Sequence, residues 1–246
     1  MLCGNGSLPA LAARAPRMQP DPAFSLALGK VQWFQLSYEL PGPREALFPP
    51  GLHPTTPVIV TCQVWRGSGG DLGTFGLAQT RLSCRAGVRI RAFLLHSVID
   101  GDVAGDVLGT RFGFHADAGR VQLHRRADRI DATVHADGRE VLRGSLLDPQ
   151  VLDPSALQHI GNMHLVTTAQ GPKLLQVETD FSTLGLQRGT QRLDAFDAAF
   201  WGLPGRTLRH AVSGAFADLE AALPAIRFVQ DPERIATVGT VKLEAA

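Results

Sequence analysis

The sequence predicts a mainly β domain, α+β in class, whose strands run antiparallel. Three observations carry this. Short segments alternate apolar and polar side chains, turn residues separate them at close intervals, and no stretch sustains a long helical period. Strands joined by short turns are antiparallel neighbours, whereas parallel strands need long crossovers that are absent from the pattern.

The elements follow in order. Residues 1–23 are rich in Pro, Gly and Ala and lack periodicity, so they are expected to form a flexible tail, with Met18 as an alternative start. Their apolar stretch, Leu8 to Ala13, is too short for a signal peptide, and its basic residues come after it. A single domain is expected over residues 24–246. Val31 to Tyr38 mixes aromatic and β-branched residues in alternation and ends at Pro41-Gly42-Pro43. Arg44 to Leu47 suits one helical turn. Pro57 to Trp65 reads as a mostly buried strand closed by a loop at Gly67-Ser68-Gly69-Gly70. Phe75 to Cys84 and Val88 to Val98 alternate again. Val103 to Leu108 is expected to be a short helix capped by Asp100 or Asp102, with Asp106 as a further capping candidate. Then come Val121 to His124, a hairpin from Ile130 to Leu146 turning at Asp137-Gly138, Asn162 to Thr168, and Leu174 to Leu186. Leu193 to Phe200 suits a second helix, and Arg227 to Val229 a final strand.

Bulk composition narrows the function classes. Apolar residues form 44% of the 246-residue chain, enough for a large core and against disorder. The formal charge of +1 gives no pull toward nucleic acid or anionic membrane, and no apolar run is long enough to span a bilayer. The basic strip around His124-Arg125-Arg126 is interrupted by Asp128 and Asp131, which suits a solvated hairpin face. Cys3, Cys62 and Cys84 lack metal-ligand spacing. The latter two lie in apolar strands, so buried thiols in a reducing, cytoplasmic compartment are expected. The eight histidines form no metal motif, with His115 and Asp117 the nearest approach to one, and no metal or cofactor is expected.

The order of the segments resembles the acetoacetate decarboxylase-like family over roughly Leu28 to Val229. Trp33-Phe34 followed by Pro49-Pro50-Gly51-Leu52 is similar to the family's Tyr-Phe … Val-Pro-x-Pro-Leu opening. Phe75 to Val88 matches a strand closed by Asn-Gly-Val, with Gln79 on the glutamine of Glu-Ser-Gly-Gln. Gly105-Asp106-Val107-Leu108 resembles Gly-Arg-Glu-Leu. Asn162-Met163-His164-Leu165 and Pro172 to Gln176 resemble Asn-Tyr-Met-Leu and Pro-Arg-Ile-Cys-Glu, and Leu223-Pro224 resembles the terminal Leu-Pro-Arg. The resemblance implies a cone-like antiparallel β-barrel with a few short helices enclosing an apolar pocket, and a homo-oligomer.

The family's chemistry does not transfer residue by residue. Its Schiff-base lysine, whose amine must be neutral to attack a ketone, falls here within Thr110 to Phe114. Arginine at position 111 stays protonated and cannot form an imine. The family's glutamates fall on Gly76, on Thr61 or Gln63, and on Gln176, and its arginine on Val31. Lys30, Lys173 and Lys242 are the chain's lysines, and of these Lys30 is the one placed for a relocated amine.

The remaining polar candidates are few. His96 suits a general acid or base, or else a hydrogen-bonded strand-end histidine. Arg111 suits a cation for a carboxylate or enolate, or a surface arginine. Gln63, Gln79 and Gln176 suit a neutral hydrogen-bonding pocket, with Trp65 and Phe112 as apolar walls. These features suit a lyase- or isomerase-like protein acting on a carbonyl-bearing or polyketide-like apolar small molecule. Enolisation, cyclisation, dehydration or isomerisation would proceed without a covalent imine. A non-catalytic small-molecule binder is the alternative, and a decarboxylase using Lys30 a third reading.

Overall fold

Alternation in sequence becomes strand pairing in space. The computed structural model describes residues 3–236 and 240–243. Its strands are β1 (Leu26–Glu39), β2 (His53–Pro54), β3 (Ile59–Gly70), β4 (Gly73–Ala86), β5 (Arg89–Asp100), β6 (Ala116–Arg125) and β7 (Arg129–Ala136). They continue as β8 (Arg139–Leu152), β9 (Asn162–Thr168), β10 (Gly171–Val177), β11 (Asp180–Phe196), β12 (Arg209–Leu223), β13 (Phe228–Gln230) and β14 (Thr240–Lys242). The α-helices are α1 (Leu8–Ala12) and α2 (Asp102–Phe112).

Nine strands close a ring in the order β1-β3-β4-β5-β6-β7-β8-β11-β12 and back to β1. Every joint is antiparallel except β5–β6, which is parallel over Ser97 to Ile99. At its beginning β5 also pairs in parallel with β9, through Ala92 and Phe93, so a side sheet β9-β10-β13-β14 branches off there. The mainly antiparallel barrel with few helices expected from the sequence is the fold observed.

The ring has two packed faces. Phe34, Val60, Ala78, Val98, Val121, Ile130, Leu142 and Phe216 come from eight different ring strands and share one core, so that core fills the ring. The ring is therefore packed solid rather than hollow. On the opposite face of β12-β1-β3-β4, Trp33, Trp65, Leu77 and Leu219 join Phe112, Val166 and Leu175 in a second core. This second core, covered by α2 and the side sheet, contains the cavity described below.

Several local expectations need correction. Gly67-Ser68-Gly69-Gly70 is the end of β3, not a loop, and the turn is Asp71-Leu72. Glycine is required at 67 because a Cβ there would lie 2.0 Å from the Phe75 ring. Leu193 to Phe196 continues β11 against β8 instead of forming a helix, and Asp197 ends it by accepting from Phe200 N at 3.0 Å. The Leu193–Phe196–Phe200 spacing imitates a helical period. Leu174 to Leu186 is split after Val177 into β10 of the side sheet and β11 of the ring. The N-cap of α2 is Gly101; Asp106 lies one turn inside the helix, and its carbonyl accepts from Thr110 Oγ1. Asp100 turns away to Arg66. The hairpin at Asp137-Gly138 is as expected, with φ of 52° and 73°.

Main-chain hydrogen bonds tie the stretch expected as a tail to the body. Gly4 N donates to Leu52 O, Gly6 N to Phe48 O and Met18 N to Thr167 O. The three cysteines are free thiols; Cys62 and Cys84 are buried, which pushes both up to about 12. No helix among the described residues is long and apolar enough to cross a membrane.

Candidate functional site

Strand register builds the site. Gln35 on β1 lies opposite Gln63 on β3, which lies opposite Gln79 on β4, so three amides line up across the second face. Gln63 and Gln79 are buried. Two residues further along β4, on the same face, is Arg81, only 3% exposed. Asn162, the first residue of β9, bridges Arg81 and Gln79.

The hydrogen bonds of this row all run one way. Arg81 Nη1 donates to Asn162 Oδ1 at 2.6 Å and to Ile160 O at 3.1 Å. Asn162 Nδ2 donates to Gln79 Oε1 at 3.2 Å, Gln79 Nε2 to Gln63 Oε1 at 2.8 Å, and Gln63 Nε2 to Gln35 Oε1 at 2.8 Å. A guanidinium can only donate, so Asn162 must present its oxygen to Arg81 and its nitrogen onward. Each amide is thereby oriented by the one before it. The chain polarises cooperatively and ends on the Gln35 amide, whose Nε2 donors remain for a ligand.

A cavity of about 250 Å³ opens on this row, lined by Trp33, Gln35, Gln63, Arg81, His159 and Arg188 among others. Four of its lining side chains carry a buried polar atom without a partner: Trp33 Nε1, Arg81 Nε, Arg91 Nε and His159 Nε2. Unmade hydrogen bonds at buried atoms are expensive and rare, and four around one cavity mark it as a polar ligand site. Of the guanidiniums lining it, Arg91 is paired with Glu178 at 3.0 Å. Among the described residues no carboxylate pairs with Arg81. Burial lowers Arg81 to about 9, which still leaves a cation at neutral pH.

Two histidines sit in the field of that cation. Burial first, and Arg81 second, push His159 down to about 3. Its ring is edge-on to Trp65 and Phe181, at centroid distances of 6.5 and 5.3 Å. His164 is fully buried and is lowered to about 4, burial again outweighing Arg81. Its Nδ1 donates to Phe112 O at 2.8 Å. Both imidazoles are therefore neutral at neutral pH.

The structure gathers some of the expected site residues and separates others. Gln63 and Gln79 are adjacent in the amide row, and Trp65 Nε1 donates to Gln63 Oε1 at 3.3 Å. Phe112 is buried in the second core and presents its carbonyl, not an open wall. His96 lies opposite Thr80, on the other face of the wall from Gln79. There it contacts Asp117 Oδ2 through Nε2 at 3.0 Å and His115 Nδ1 at 3.4 Å, under Phe200 and Trp201. Burial, then His115, lowers it to about 4. Arg111 is half exposed, 3.6 Å from Asp21 and stacked 5.2 Å over Phe24. Gln176 donates to Glu178 and lines a separate apolar pocket with Met163, Leu174 and Phe228. Lys30 is exposed in a surface groove with Gln32, Arg66 and Ser68. Arg81, Gln35, Trp33 and His159 are the site residues that sequence reasoning missed. The usable signal was Leu77-x-Gln79-x-Arg81, a strand face that turns polar where burial is deepest.

No family model matches the sequence, and no curated protein matches it. Solved structures do. An acetoacetate decarboxylase from Legionella pneumophila superposes with a TM-score of 0.69 at 14% identity, covering 84% of this chain and 86% of that one. MppR, an enduracididine biosynthesis enzyme complexed with the condensation product of pyruvate and imidazole 4-carboxaldehyde, gives 0.66 at 20% identity, covering 85% and 90%. An acetoacetate decarboxylase-like enzyme from Sphingomonas wittichii RW1 gives 0.60 at 15% identity, covering 92% and 95%. The chain has the fold shared by acetoacetate decarboxylase and acetoacetate decarboxylase-like enzymes.

Proposed function

We propose that this protein binds a small carbonyl compound in the amide-lined cavity and promotes its enolisation, or a reaction passing through an enol, without a covalent imine. The observation that carries this reading is the one-way amide chain ending on Gln35 beside the unpartnered Trp33 Nε1. Two N–H donors on one strand face, two residues apart, suit a carbonyl oxygen that gains charge as the enolate forms. His159 is the imidazole on the cavity wall. In the step, a proton on the carbon next to the carbonyl passes to His159. The C–H electron pair forms the C=C bond, and the carbonyl π pair moves onto oxygen. Return of the proton to another position completes an isomerisation.

None of the three lysines lines the cavity, which supports the non-covalent route. The fold's neighbours include enzymes outside simple decarboxylation, so the fold accommodates such a change of chemistry. The polar row argues for a compact carbonyl ligand in place of a wholly apolar one. A purely binding role has its own support: with Arg81 uncompensated, His159 at about 3 is a weak base near neutral pH.

Solvent-deuterium exchange into methyl ketones and oxo acids, followed by proton NMR, tests the reading. Wild type is expected to incorporate deuterium next to the carbonyl, and the double variant Trp33→Phe/Gln35→Leu to do so at least about 100-fold more slowly, the usual scale for lost oxyanion donors. Borohydride added to the same mixture should leave the intact mass unchanged. Saturable binding without exchange would leave the binding role, and a reduced adduct on a lysine would overturn the non-covalent route.

A further inference from the structure

We infer that Asp117, His96 and His115 form a proton relay, and that His115 Nε2 is the base of a second site taking a neutral or cationic hydroxyl or amine ligand. The relay lies on the other face of the wall from the amide row and does not depend on the carbonyl reading.

Placement comes first. His115 and Asp117 both line a groove of about 830 Å³ beside α2, together with Arg17, Asp100, Asp102 and Asp106. His96 lies behind them, 1% exposed. Its two ring nitrogens reach one neighbour each: Nε2 is 3.0 Å from Asp117 Oδ2, and Nδ1 is 3.4 Å from His115 Nδ1. Two groups that face the groove are thus joined through an imidazole that is itself closed off from solvent.

Proton positions follow from the partners. An ionised carboxylate only accepts, so His96 Nε2 holds the proton and His96 Nδ1 the lone pair. His115 Nδ1 stands between two acceptors, His96 Nδ1 and Leu95 O at 3.3 Å, so it is an N–H. The lone pair of His115 is therefore on Nε2, which has no partner among the described residues. Burial, with Arg14 adding to it and the Leu95 carbonyl opposing, holds His115 below the ordinary imidazole range. That lone pair is free at neutral pH. When an O–H or N–H proton of a ligand passes to Nε2, the electron pair of the broken bond stays on the ligand. The Nδ1 proton of His115 then moves to His96 Nδ1, and the positive charge comes to rest beside the Asp117 carboxylate, which stays ionised. His96 and Asp117 are positioning residues, and His115 alone meets the ligand. Charge narrows the ligand class: four aspartates line the groove against Arg17, and like charges repel an anion.

Diethyl pyrocarbonate is a neutral probe of such a base. Its acyl carbon takes the Nε2 lone pair, ethyl carbonate departs, and the acylated ring gives up its Nδ1 proton, the one that His96 accepts. Peptide mapping by mass spectrometry at pH 7 is expected to show His115 modified at least about 10-fold faster than the exposed His124. Asp117→Asn keeps an oxygen for His96 Nε2 but removes the charge. It should slow His115 at least about 10-fold and leave His124 unchanged, whereas a merely structural Asp117 would leave both rates alone. A wild-type His115 no faster than His124 overturns the relay, and so does an unchanged rate in Asp117→Asn. Should that variant not fold, the wild-type comparison decides. Iodoacetamide should alkylate His115 faster than iodoacetate does, taken relative to the same ratio at His124. An equal or reversed order overturns the ligand class.

Discussion

At Gln79 two strands and the side sheet meet in one side chain. Its Nε2 donates to Gln63 and its Oε1 accepts from Asn162, so an apolar replacement leaves Asn162 Nδ2 without an acceptor and frees the Arg81 tether. His164 carries a sharper consequence. Folded, it is held at about 4 against an ordinary value of 6.5, so the folded protein disfavours its protonated form. Between those values the unfolded chain takes up a proton that the folded chain refuses, and stability falls as pH falls. The contribution is complete above about 6.5, declines by up to about 1.4 kcal/mol per pH unit, and is exhausted below about 4. His96 acts in the same direction and the same window, with Asp117 opposing its burial. Thermal melts at successive pH values should therefore show Tm dropping from pH 7 to 4.5. His164→Asn, which keeps a donor for Phe112 O, should flatten that slope by about one proton. A slope identical in wild type and variant would show that His164 is not the titrating group.

Elements show why part of the molecule was readable and part was not. In the Asp137-Gly138 hairpin β7 has one face buried in the ring core, and its period-2 pattern is correspondingly clean, whereas β1, β3 and β4 carry a core on both faces and read as mostly apolar strands. β11 is half exposed along its length, with Leu193 and Phe196 at a spacing compatible with a helix, so only its pairing with β8 settles it. At the site, Gln63 and Gln79 were legible through the resemblance, which sets both at or near polar family positions on strands. Arg81 was not, because a strand arginine ordinarily faces water, and only the docking of β9 over β4 seals it. α2 was legible as a helix, but its end depends on a tertiary contact. Gly113 closes it with φ of 68°, and a Cβ there would lie 2.4 Å from Val166 Cγ1. Gly138 has nearly the same φ, 73°, with nothing within 4 Å of its Cβ position. Gly138→Ala should thus cost about 1 kcal/mol from backbone strain alone, and Gly113→Ala distinctly more from strain plus packing. Urea denaturation of both variants checks this, and equal losses would mean that Val166 yields to the added methyl.

Across the whole molecule, ring closure is the thinnest connection. Most ring joints pair over eight or more positions, whereas β5 and β6 pair in parallel over three, Ser97 to Ile99. Parallel ladders are also slightly weaker per residue. The seam has staples at both ends. At one, Ser97 N donates to His115 O at 2.7 Å, beside the contact of His96 with Asp117. At the other, Asp100 Oδ2 accepts from Val121 N at 3.1 Å and from Arg66 Nη1 at 3.1 Å, while Arg66 also reaches Val121 O at 3.0 Å. This pair is about a third exposed, so the ion pair itself contributes little. The Val121 N–H needs its acceptor more, since Val121 is buried in the ring core. Asp100→Ala is therefore expected to lower stability by about 1–2 kcal/mol, and Asp100→Asn, which keeps an oxygen for Val121 N, by less. The loss should be local as well as global. Native-state hydrogen exchange should accelerate first in β6 and the end of β7, with β1 and β3 keeping the protection of the unopened wall. The amide row lies on that protected wall, so ligand binding should survive the substitution. Uniform acceleration across all ring strands would instead mean that the barrel opens only as one unit and that the parallel seam is no weaker than the rest.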